Sequence, residues 1–242
     1  MNGDRELLLR FSNDVETTAP SGCKQVVCPP SVLVIAACDA FAGHSIEVGG
    51  QDCSQHLSGA FTGDLSPNML VEAGARWVIL GHSERRSGYL ETSEEVAEKA
   101  AAAIKAGLTP IICIGESAAD REGGKHLEVI IDQLEASTPE TLRTGEATIA
   151  YEPVWAIGSG VSASEDQVRE AHNVIAEWLE QHRVPLPVLY GGSVKPASAA
   201  SLSAIGNVDG FLIGGASLDP ESFKSIGAIV AETLDNPSRS VQ

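Results

Sequence analysis

Short apolar runs rich in Val and Ile alternate along this chain with amphipathic helical patterns. The runs predict strands over residues 25–28, 46–50, 76–81, 110–114, 147–151, 187–191 and 209–213. Helical spacing of apolar residues predicts helices over 93–106, 119–136 and 164–181, the last with Ser164 as its N-cap. Short strands bounded by Gly or Pro and separated by helices are typical of a parallel sheet with right-handed crossovers. The pattern therefore predicts an α/β fold.

The chain opens with a helix pattern, MNGDRELLLRFSNDV, in which Asn2 or Asp4 is the predicted N-cap and Leu7, Leu8 and Phe11 form an apolar stripe. No linker rich in Pro, Gly or Ser divides the sequence, so residues 1–242 are expected to form a single domain. Two architectures fit, an open doubly wound sheet and a closed (β/α) barrel. A closed barrel has eight strands, whereas the sequence shows seven apolar runs. The eighth strand would stand before Met1.

Charge limits the partners that this chain can bind. The sequence holds 16 Lys and Arg against 33 Asp and Glu, a net charge of −17. Such a surface repels phosphate backbones and anionic lipids, so neither nucleic acid nor a membrane is an expected partner. No secretory leader and no apolar run long enough to span a membrane is present, which predicts a cytoplasmic protein. The cysteines are odd in number and form no CxxC pair, which favours reduced thiols; they are Cys23, Cys28, Cys38, Cys53 and Cys113.

The segment TIAYEPVWAIGSG, residues 148–160, places Glu152 at the carboxyl end of a predicted strand. Pro153 then breaks the strand, and an apolar segment leads to Gly158, Ser159 and Gly160. A carboxylate on a rigid strand end followed by a glycine hinge is typical of a catalytic base and a lid. A structural ion pair at the strand end is an equally good interpretation from position alone.

Two glycine patterns in the sequence resemble nucleotide-binding motifs but fit them poorly. Residues 158–163, GSGVSA, match GxGxxA, yet five residues separate them from Glu152 at the strand end, whereas a dinucleotide-binding glycine ends its strand directly. Gly124 and Lys125 are followed by His126 instead of the Ser or Thr of a phosphate-binding loop. Neither pattern predicts a nucleotide site.

The segment RWVILGHSERR, residues 76–86, places His82 just beyond a strand, followed by Ser83 and Glu84. Parallel α/β folds carry their chemistry at this end of the strands, so His82 is a candidate catalytic residue.

The remaining histidines lack that position. His44 and His56 flank Asp52 and Cys53, but without the ligand spacing of a zinc site, so no metal is expected. Three more fall in helical patterns and are expected to be exposed polar residues; they are His126, His172 and His182.

Two late strands run into paired glycines and a serine, LYGGSVKP at 189–196 and FLIGGASL at 211–218. Paired glycines let backbone N–H groups approach an anion, and the N-terminus of a following helix adds its dipole. Two such turns after the last two strands match the phosphate site of a (β/α) barrel.

These motifs together resemble the triosephosphate isomerase family. AYEPVWAIGSG, ILGHSERR, SGAFTGD, YGGSV and FLIGGASL all stand in the family's order and spacing. The resemblance implies a (β/α)8 TIM barrel, usually a homodimer, that interconverts dihydroxyacetone phosphate and D-glyceraldehyde 3-phosphate without a metal or organic cofactor. Loop 58–64 would insert into the partner subunit.

The resemblance also implies a role for each candidate site residue. Glu152 would be the base that moves the proton, and His82 the neutral electrophile at the enediolate oxygens. Four residues would donate backbone N–H groups to the phosphate: Gly158, Ser193, Gly214 and Gly215. The lid and clamp residues over the base would be Ile157, Ser159, Gly160 and Leu212, and the residues supporting the catalytic pair would be Ser83, Glu84 and Cys113.

The sequence departs from the family at its start. The family's first strand ends in Asn-x-Lys-Met-Asn-Gly, whereas this sequence begins at Met-Asn-Gly, so the asparagine and the substrate-binding lysine are absent. Three explanations of the absent residues are open. The gene start was assigned at an internal methionine, the chain is a truncation, or the chain is a degenerate relative of the family. We expect a barrel with one gap, whose edges at 25–28 and 210–213 are hydrated, covered by residues 13–24 or paired with another chain. We further expect lowered stability, association that differs from the usual dimer and activity far below normal, with a catalytically silent phosphosugar-binding relative as the alternative.

Overall fold

The structure is a computed structural model that describes residues 1–15, 20, 22–139, 142, 146–157 and 162–234. Seven strands lie in these ranges: β1 (Gln25–Val27), β2 (Ile46–Gly50), β3 (Trp77–Leu80), β4 (Thr109–Ile114), β5 (Thr148–Tyr151), β6 (Val188–Tyr190) and β7 (Gly210–Phe211). Each lies within one residue of a predicted run or inside it.

The strands form one parallel sheet in the order β1-β2-β3-β4-β5-β6-β7, so every strand pairs with its neighbours in sequence. β4 pairs with β3 and with β5 over four residue pairs each, whereas β6 and β7 share two. The sheet curls until residues of β1 and β7 line the same cavity. The predicted α/β barrel with seven strands and one gap is confirmed, and the open doubly wound sheet is wrong.

Ten helices surround the sheet in the described ranges: α1 (Arg5–Asp14), α2 (Val34–Ala40), α3 (Pro67–Glu72), α4 (Ser83–Gly88), α5 (Ser93–Ala106), α6 (Ala118–Glu122), α7 (His126–Ser137), α8 (Glu165–Gln181), α9 (Pro196–Ser203) and α10 (Pro220–Leu234). The predicted opening helix is present as α1. Asp4 is its N-cap and accepts a hydrogen bond from the N–H of Leu7, while Leu8 and Phe11 are buried. None of the helices described is long and apolar enough to cross a membrane.

The predicted helix over 119–136 is two helices. α6 ends at Glu122 with Gly123 as its C-cap, and Gly124 adopts a φ of +69°, a left-handed conformation that glycine tolerates and a continuing helix does not. The chain then restarts as α7 after Lys125. The apolar spacing correctly predicted helical residues on both sides of the break. The paired glycines separate them into two helices.

The prediction that His172 is exposed is wrong. His172 has no exposed surface, because it lies on the inner face of α8 with Val168 and Ile175. Its Nδ1–H donates to the carbonyl of Asn207 at 2.8 Å. Burial lowers the pKa of His172 to about 4, so the ring is neutral at physiological pH.

The helix layer passes across the open side of the sheet. α1 packs against α2 on one side and α10 on the other. The rings of Phe11 and Phe223 meet edge to face at a centroid distance of 5.5 Å. In the described part of residues 1–24 the chain forms α1 and supplies no strand, so β1 and β7 face each other as sheet edges.

Candidate active site

Glu152 lies directly beyond the carboxyl end of β5 and is 2% exposed. Its N–H donates to the carbonyl of Ile114 at 2.8 Å, which continues the β4–β5 ladder by one bond. Two glycines make room for it. A Cβ at Gly115 would lie 1.7 Å from the Glu152 carbonyl oxygen, and one at Gly191 would lie 2.9 Å from Glu152 Cγ.

His82 follows β3 after a turn at Gly81, whose φ of +67° is in the left-handed region. It is the N-cap of α4, and its Nδ1 accepts the backbone N–H of Glu84 at 3.3 Å. Because Nδ1 accepts, the ring proton of neutral His82 is on Nε2. Nε2 lies 2.9 Å from Glu152 Oε1, so the two predicted catalytic residues are in direct contact.

The second carboxylate oxygen of Glu152 is also held. Oε2 accepts the backbone N–H of buried Ser83 at 2.9 Å. The thiol of Cys113 on β4 is within hydrogen-bonding reach of the same carboxylate, and burial together with the charge of Glu152 raises its pKa well above the usual value. Ser83 and Cys113 thus lie against Glu152.

Two opposing effects act on the pKa of His82. Burial lowers the pKa of His82, but the hydrogen bond and negative charge of Glu152, together with the charge of Glu84, outweigh it, so the pKa is raised. Glu84 itself stays 4.0 Å from Nδ1, with its side chain 82% exposed. In the free protein, the contact with Glu152 therefore holds the pKa of His82 above its ordinary value.

The glycine turns after β6 and β7 open onto the same cavity as Glu152 and His82. This cavity has a volume of about 1270 Å³ and is lined by His82 and Glu152 as well as by Ser193, Gly214 and Gly215. Within the part of the chain that the structure describes, no acceptor pairs with the backbone N–H of these last three residues. N–H groups of this kind can bind an anion.

The lid prediction is only partly visible. Ile157 ends a short 3₁₀ helix, Val154–Ala156, and lines the cavity, as does Leu212 beyond β7. The predicted lid and phosphate residues Gly158, Ser159 and Gly160 lie outside the described residues.

Asp52 takes part in an ion cluster rather than a cysteine–histidine set. Its carboxylate lies 3.0 Å from Lys99 Nζ and 2.9 Å from an Arg85 guanidinium nitrogen. Lys99 also contacts the buried carboxylate of Glu91. Among the described residues no group of three or more His, Cys, Asp or Glu side chains is placed to hold a metal ion.

Sequence reasoning missed Glu116, which anchors the segment leading to the predicted lid. This carboxylate is fully buried, and its Oε1 accepts hydrogen bonds from Trp155 Nε1 at 2.7 Å and Tyr151 Oη at 3.2 Å. Arg121 Nε completes the set at 2.9 Å. Glu116 stands two residues beyond β4, so the rule that singled out Glu152 at a strand end also applies here.

A carboxylate and an imidazole at the carboxyl ends of parallel strands, beside anion-type turns, are the site expected of a (β/α)-barrel enzyme. Comparison with known proteins narrows this class. The family model described as triosephosphate isomerase matches residues 1–230. The chain therefore belongs to the triosephosphate isomerase family.

Individual relatives agree with this assignment. The chain is 47% identical over 234 residues to the triosephosphate isomerase of Granulibacter bethesdensis, covering 93% of this chain and 94% of that protein. It is 45% identical over 235 residues to that of a Ruegeria species, covering 96% of this chain and 95% of the relative. The crystal structure of triosephosphate isomerase from Bartonella henselae superposes with a TM-score of 0.85 at 39% identity, covering 95% of this chain and 94% of the other.

Proposed function

We propose that this chain interconverts dihydroxyacetone phosphate and D-glyceraldehyde 3-phosphate, with Glu152 as the base that moves a proton between two substrate carbons. The observation that carries this proposal is the contact of the Glu152 carboxylate with His82 Nε2 and the Ser83 N–H. Proton abstraction beside a carbonyl needs a base held near the carbon and donors facing the developing oxyanion. These residues supply both.

His82 acts on the substrate oxygens as a neutral imidazole. The pairing of a glutamate base with a neutral histidine is the known pattern of this family rather than a result of the present geometry. The hydrogen bond from Glu84 N–H to Nδ1 supports it, since it places the proton on Nε2. Substrate must separate Nε2 from Glu152, which frees a base for the carbon and a donor for the oxygen. Losing the carboxylate contact also removes the influence that raises the pKa of His82.

The substrate phosphate is bound by the backbone N–H groups of Ser193, Gly214, Gly215 and Gly158. In a chain of net charge −17, such local donors must hold the anion against an unfavourable surrounding field. Ile157, Ser159 and Gly160 close over the bound substrate, and Leu212 packs against the base. Closure protects an intermediate that readily loses phosphate in water.

The experiment that tests the reaction compares the chain with Glu152→Gln in a coupled assay for dihydroxyacetone phosphate formation at high enzyme concentration. Removing a general base lowers turnover about 10²–10⁴-fold. Equal rates in both proteins, with phosphosugar binding retained by calorimetry, would instead identify a catalytically silent phosphosugar-binding relative.

We further propose that the 242-residue polypeptide is a slow isomerase, because it lacks the asparagine and the lysine that the resemblance implies at the substrate. Three described Lys and Arg residues line the cavity: Arg85 is bound to Asp52 and Glu91, Lys24 lies 3.7 Å from Glu47, and Lys195 is the N-cap of α9. The resemblance implies that an asparagine and a lysine stand before Met1. Losing one preorganised donor at a site of this kind lowers turnover about 10²–10³-fold.

An N-terminal extension tests this second proposal. A strand ending in Asn-Trp-Lys, joined directly to Met1, is expected to raise kcat/KM at least about 100-fold. The control is the same strand ending in Asn-Trp-Met, which restores the backbone without the charge. Equal rates with the two extensions, or a normal rate in the chain without either, would refute the proposal.

We also propose a homodimer that acts in the cytoplasm. Loop 58–64 is exposed along its whole length, and Phe61 at its centre stacks on His56 at a centroid distance of 4.0 Å. An exposed loop stiffened by an aromatic stack is suited to insertion into a partner. Sedimentation of the chain, with loop 58–64 intact and with Phe61→Ser, measures its contribution to association.

A further inference from the structure

Arg86 connects the segments that carry the two proposed catalytic residues. It lies on α4, one helical turn after His82. Its guanidinium donates four hydrogen bonds, which reach the carbonyls of Gly81 (2.8 Å) and Cys113 (3.0 Å) and the hydroxyls of Ser93 (3.0 Å) and Ser137 (2.9 Å). One side chain thus joins the turn after β3, the strand β4, the start of α5 and the end of α7.

The bond to Gly81 fixes the turn that presents His82. The Gly81 carbonyl belongs to the peptide unit that leads directly into His82, and Gly81 itself adopts a φ of +67°. A Cβ at Gly81 would lie 3.0 Å from Arg86 Nη2, so the guanidinium packs directly against this turn. Glycine leaves a backbone unusually free to move. Arg86 limits that freedom, and the orientation of the imidazole depends on it.

The bond to Cys113 takes the place of a strand bond that β3 does not supply. The carbonyl of Ile114 accepts the N–H of Glu152 on the β5 side, so alternation along β4 turns the Cys113 carbonyl toward β3. β3 ends at Leu80, one residue short of the position opposite Cys113. Arg86 donates there instead. Because the Cys113 thiol lies within hydrogen-bonding reach of the Glu152 carboxylate, this bond fixes the residue against which the base lies.

Arg86 also brings an uncompensated positive charge to the back of the site. Within the described part of the chain its guanidinium bonds neutral oxygens alone. Buried cations are usually paired with a carboxylate, as Arg85 and Arg121 are. Burial lowers the pKa of Arg86, and the charges of Glu91 and Glu152 act in the opposite direction. Attraction between charges is mutual, so the guanidinium stabilises the negative charge of Glu152.

We propose that Arg86 is a positioning residue for the proposed proton transfer, which holds His82 and Glu152 in register through the backbones of Gly81 and Cys113. Arg86 is not among the residues that line the cavity, so it acts on these two backbones rather than on the substrate. This inference rests on the proposed function, and its test therefore includes one measurement that needs no turnover.

The first variant is Arg86→Met, which removes the charge and all four donors at similar length. We expect kcat to fall about 10- to 100-fold, since a misplacement of 1 Å can lower turnover about 100-fold. KM should stay within about threefold, because the proposed phosphate turns follow β6 and β7 and none of the four acceptors lies there. The matched control is Arg76→Met, an exposed arginine at the opposite end of β3 from His82, which should keep the kcat of the unmodified chain.

Two further variants separate positioning from support of the fold. Ser137→Ala removes an acceptor on α7 but leaves the bonds to Gly81 and Cys113, so it should lower the urea midpoint and keep kcat within about twofold. Arg86→Lys keeps the charge, but one ammonium cannot replace a planar fork at four acceptors, so kcat should stay at least about tenfold below that of the unmodified chain. Arg86→Lys also replaces Arg86→Met in the comparison if urea denaturation shows Arg86→Met to be unfolded.

The measurement without turnover is the proton resonance of His82 Nε2–H, which the contact of 2.9 Å with Glu152 should hold downfield in the free protein. Arg86→Met is expected to move or broaden this resonance, whereas Arg76→Met should leave it in place. If Glu152→Gln turns over as fast as the unmodified chain, the proposed function fails, yet the resonance still reports whether Arg86 holds the pair.

Three results would overturn the positioning role of Arg86. They are an unmoved His82 resonance in folded Arg86→Met, a kcat of Arg86→Met within about twofold of Arg76→Met, and full recovery of kcat in Arg86→Lys. Equal losses of kcat in Arg86→Met and Ser137→Ala would likewise assign the effect to the fold as a whole.

Discussion

Replacing Gly191 with alanine tests how tightly the site holds its base. Gly191 follows β6, and an added Cβ would lie 2.9 Å from Glu152 Cγ and 3.2 Å from the carbonyl oxygen of Tyr151. A tolerable contact begins near 3.4 Å, so the Glu152 side chain must retreat by about 0.5 Å. The Tyr151 carbonyl belongs to β5 and cannot yield in the same way, which directs the strain onto the carboxylate.

The expected loss of kcat follows from the contacts of Glu152. Its oxygens lie 2.9 Å from His82 Nε2 and 2.9 Å from the Ser83 N–H, so a shift of this size stretches both beyond good hydrogen-bond length. A misplacement of 1 Å can lower turnover about 100-fold, so half that distance corresponds to roughly tenfold in kcat. Overpacking of this kind also destabilises a fold by about 1–3 kcal/mol.

The assay is steady-state isomerisation with a coupled dehydrogenase, run on the purified chain at high concentration beside its variants. Gly206→Ala is the control, because its added methyl group meets nothing, and Glu152→Gln sets the lower limit of the rate. Urea denaturation reports whether each variant is folded during the measurement. If Gly191→Ala is folded and keeps a kcat within twofold of Gly206→Ala, the position of Glu152 does not control the rate and the reasoning fails.

Two further predictions concern stability. Lys99 is 7% exposed and paired with both Asp52 and Glu91, so Lys99→Met should leave these two carboxylates with Arg85 alone and lower the free energy of unfolding by about 1–3 kcal/mol. Lys105→Met, on the exposed side of the same helix, should change the free energy of unfolding little, and equal urea midpoints of the two variants would contradict this. The raised pKa of His82 stabilises the fold below the ordinary histidine pKa of about 6.5, and this contribution is lost as pH rises through the folded-state value. Between about pH 5.5 and about pH 8.5 the chain should therefore lose more stability than Glu152→Gln, and parallel pH profiles would refute the coupling.

The strands were predictable because their signal is local. Ile46–Gly50 was predicted and observed with the same bounds, since a β-branched run ends there in paired glycines. The last strand was predicted over 209–213, but the sheet pairs only Gly210–Phe211. A strand that has no described partner on its second edge forms fewer hydrogen bonds with its neighbours. The length of such a strand therefore depends on the neighbouring strands rather than on its own residues.

The site was predictable where position along a strand decides chemistry, as for Glu152 and His82. Glu116 also stands just beyond the carboxyl end of a strand, β4, and the same positional argument would have indicated it. It is fully buried beneath Trp155. Burial of His172 was not predictable from residue type. Its place between Val168 and Ile175 on the apolar face of α8 would have indicated burial, and a carbonyl partner from Asn207 makes that burial tolerable.

The proposed catalytic pair and the proposed phosphate-binding turns follow strands that differ in how many residue pairs hold them in the sheet. His82 and Glu152 follow β3 and β5, the two strands that flank β4 and pair with it over four residue pairs each. Gly214 follows β7, which is two residues long, pairs with β6 over two residue pairs and borders the gap. Segments with few supporting contacts open locally at lower free energy than central strands. Low urea concentrations, which favour local opening, should therefore loosen the turns after β6 and β7 and raise KM first, while kcat, set by a pair held on the central strands, changes less.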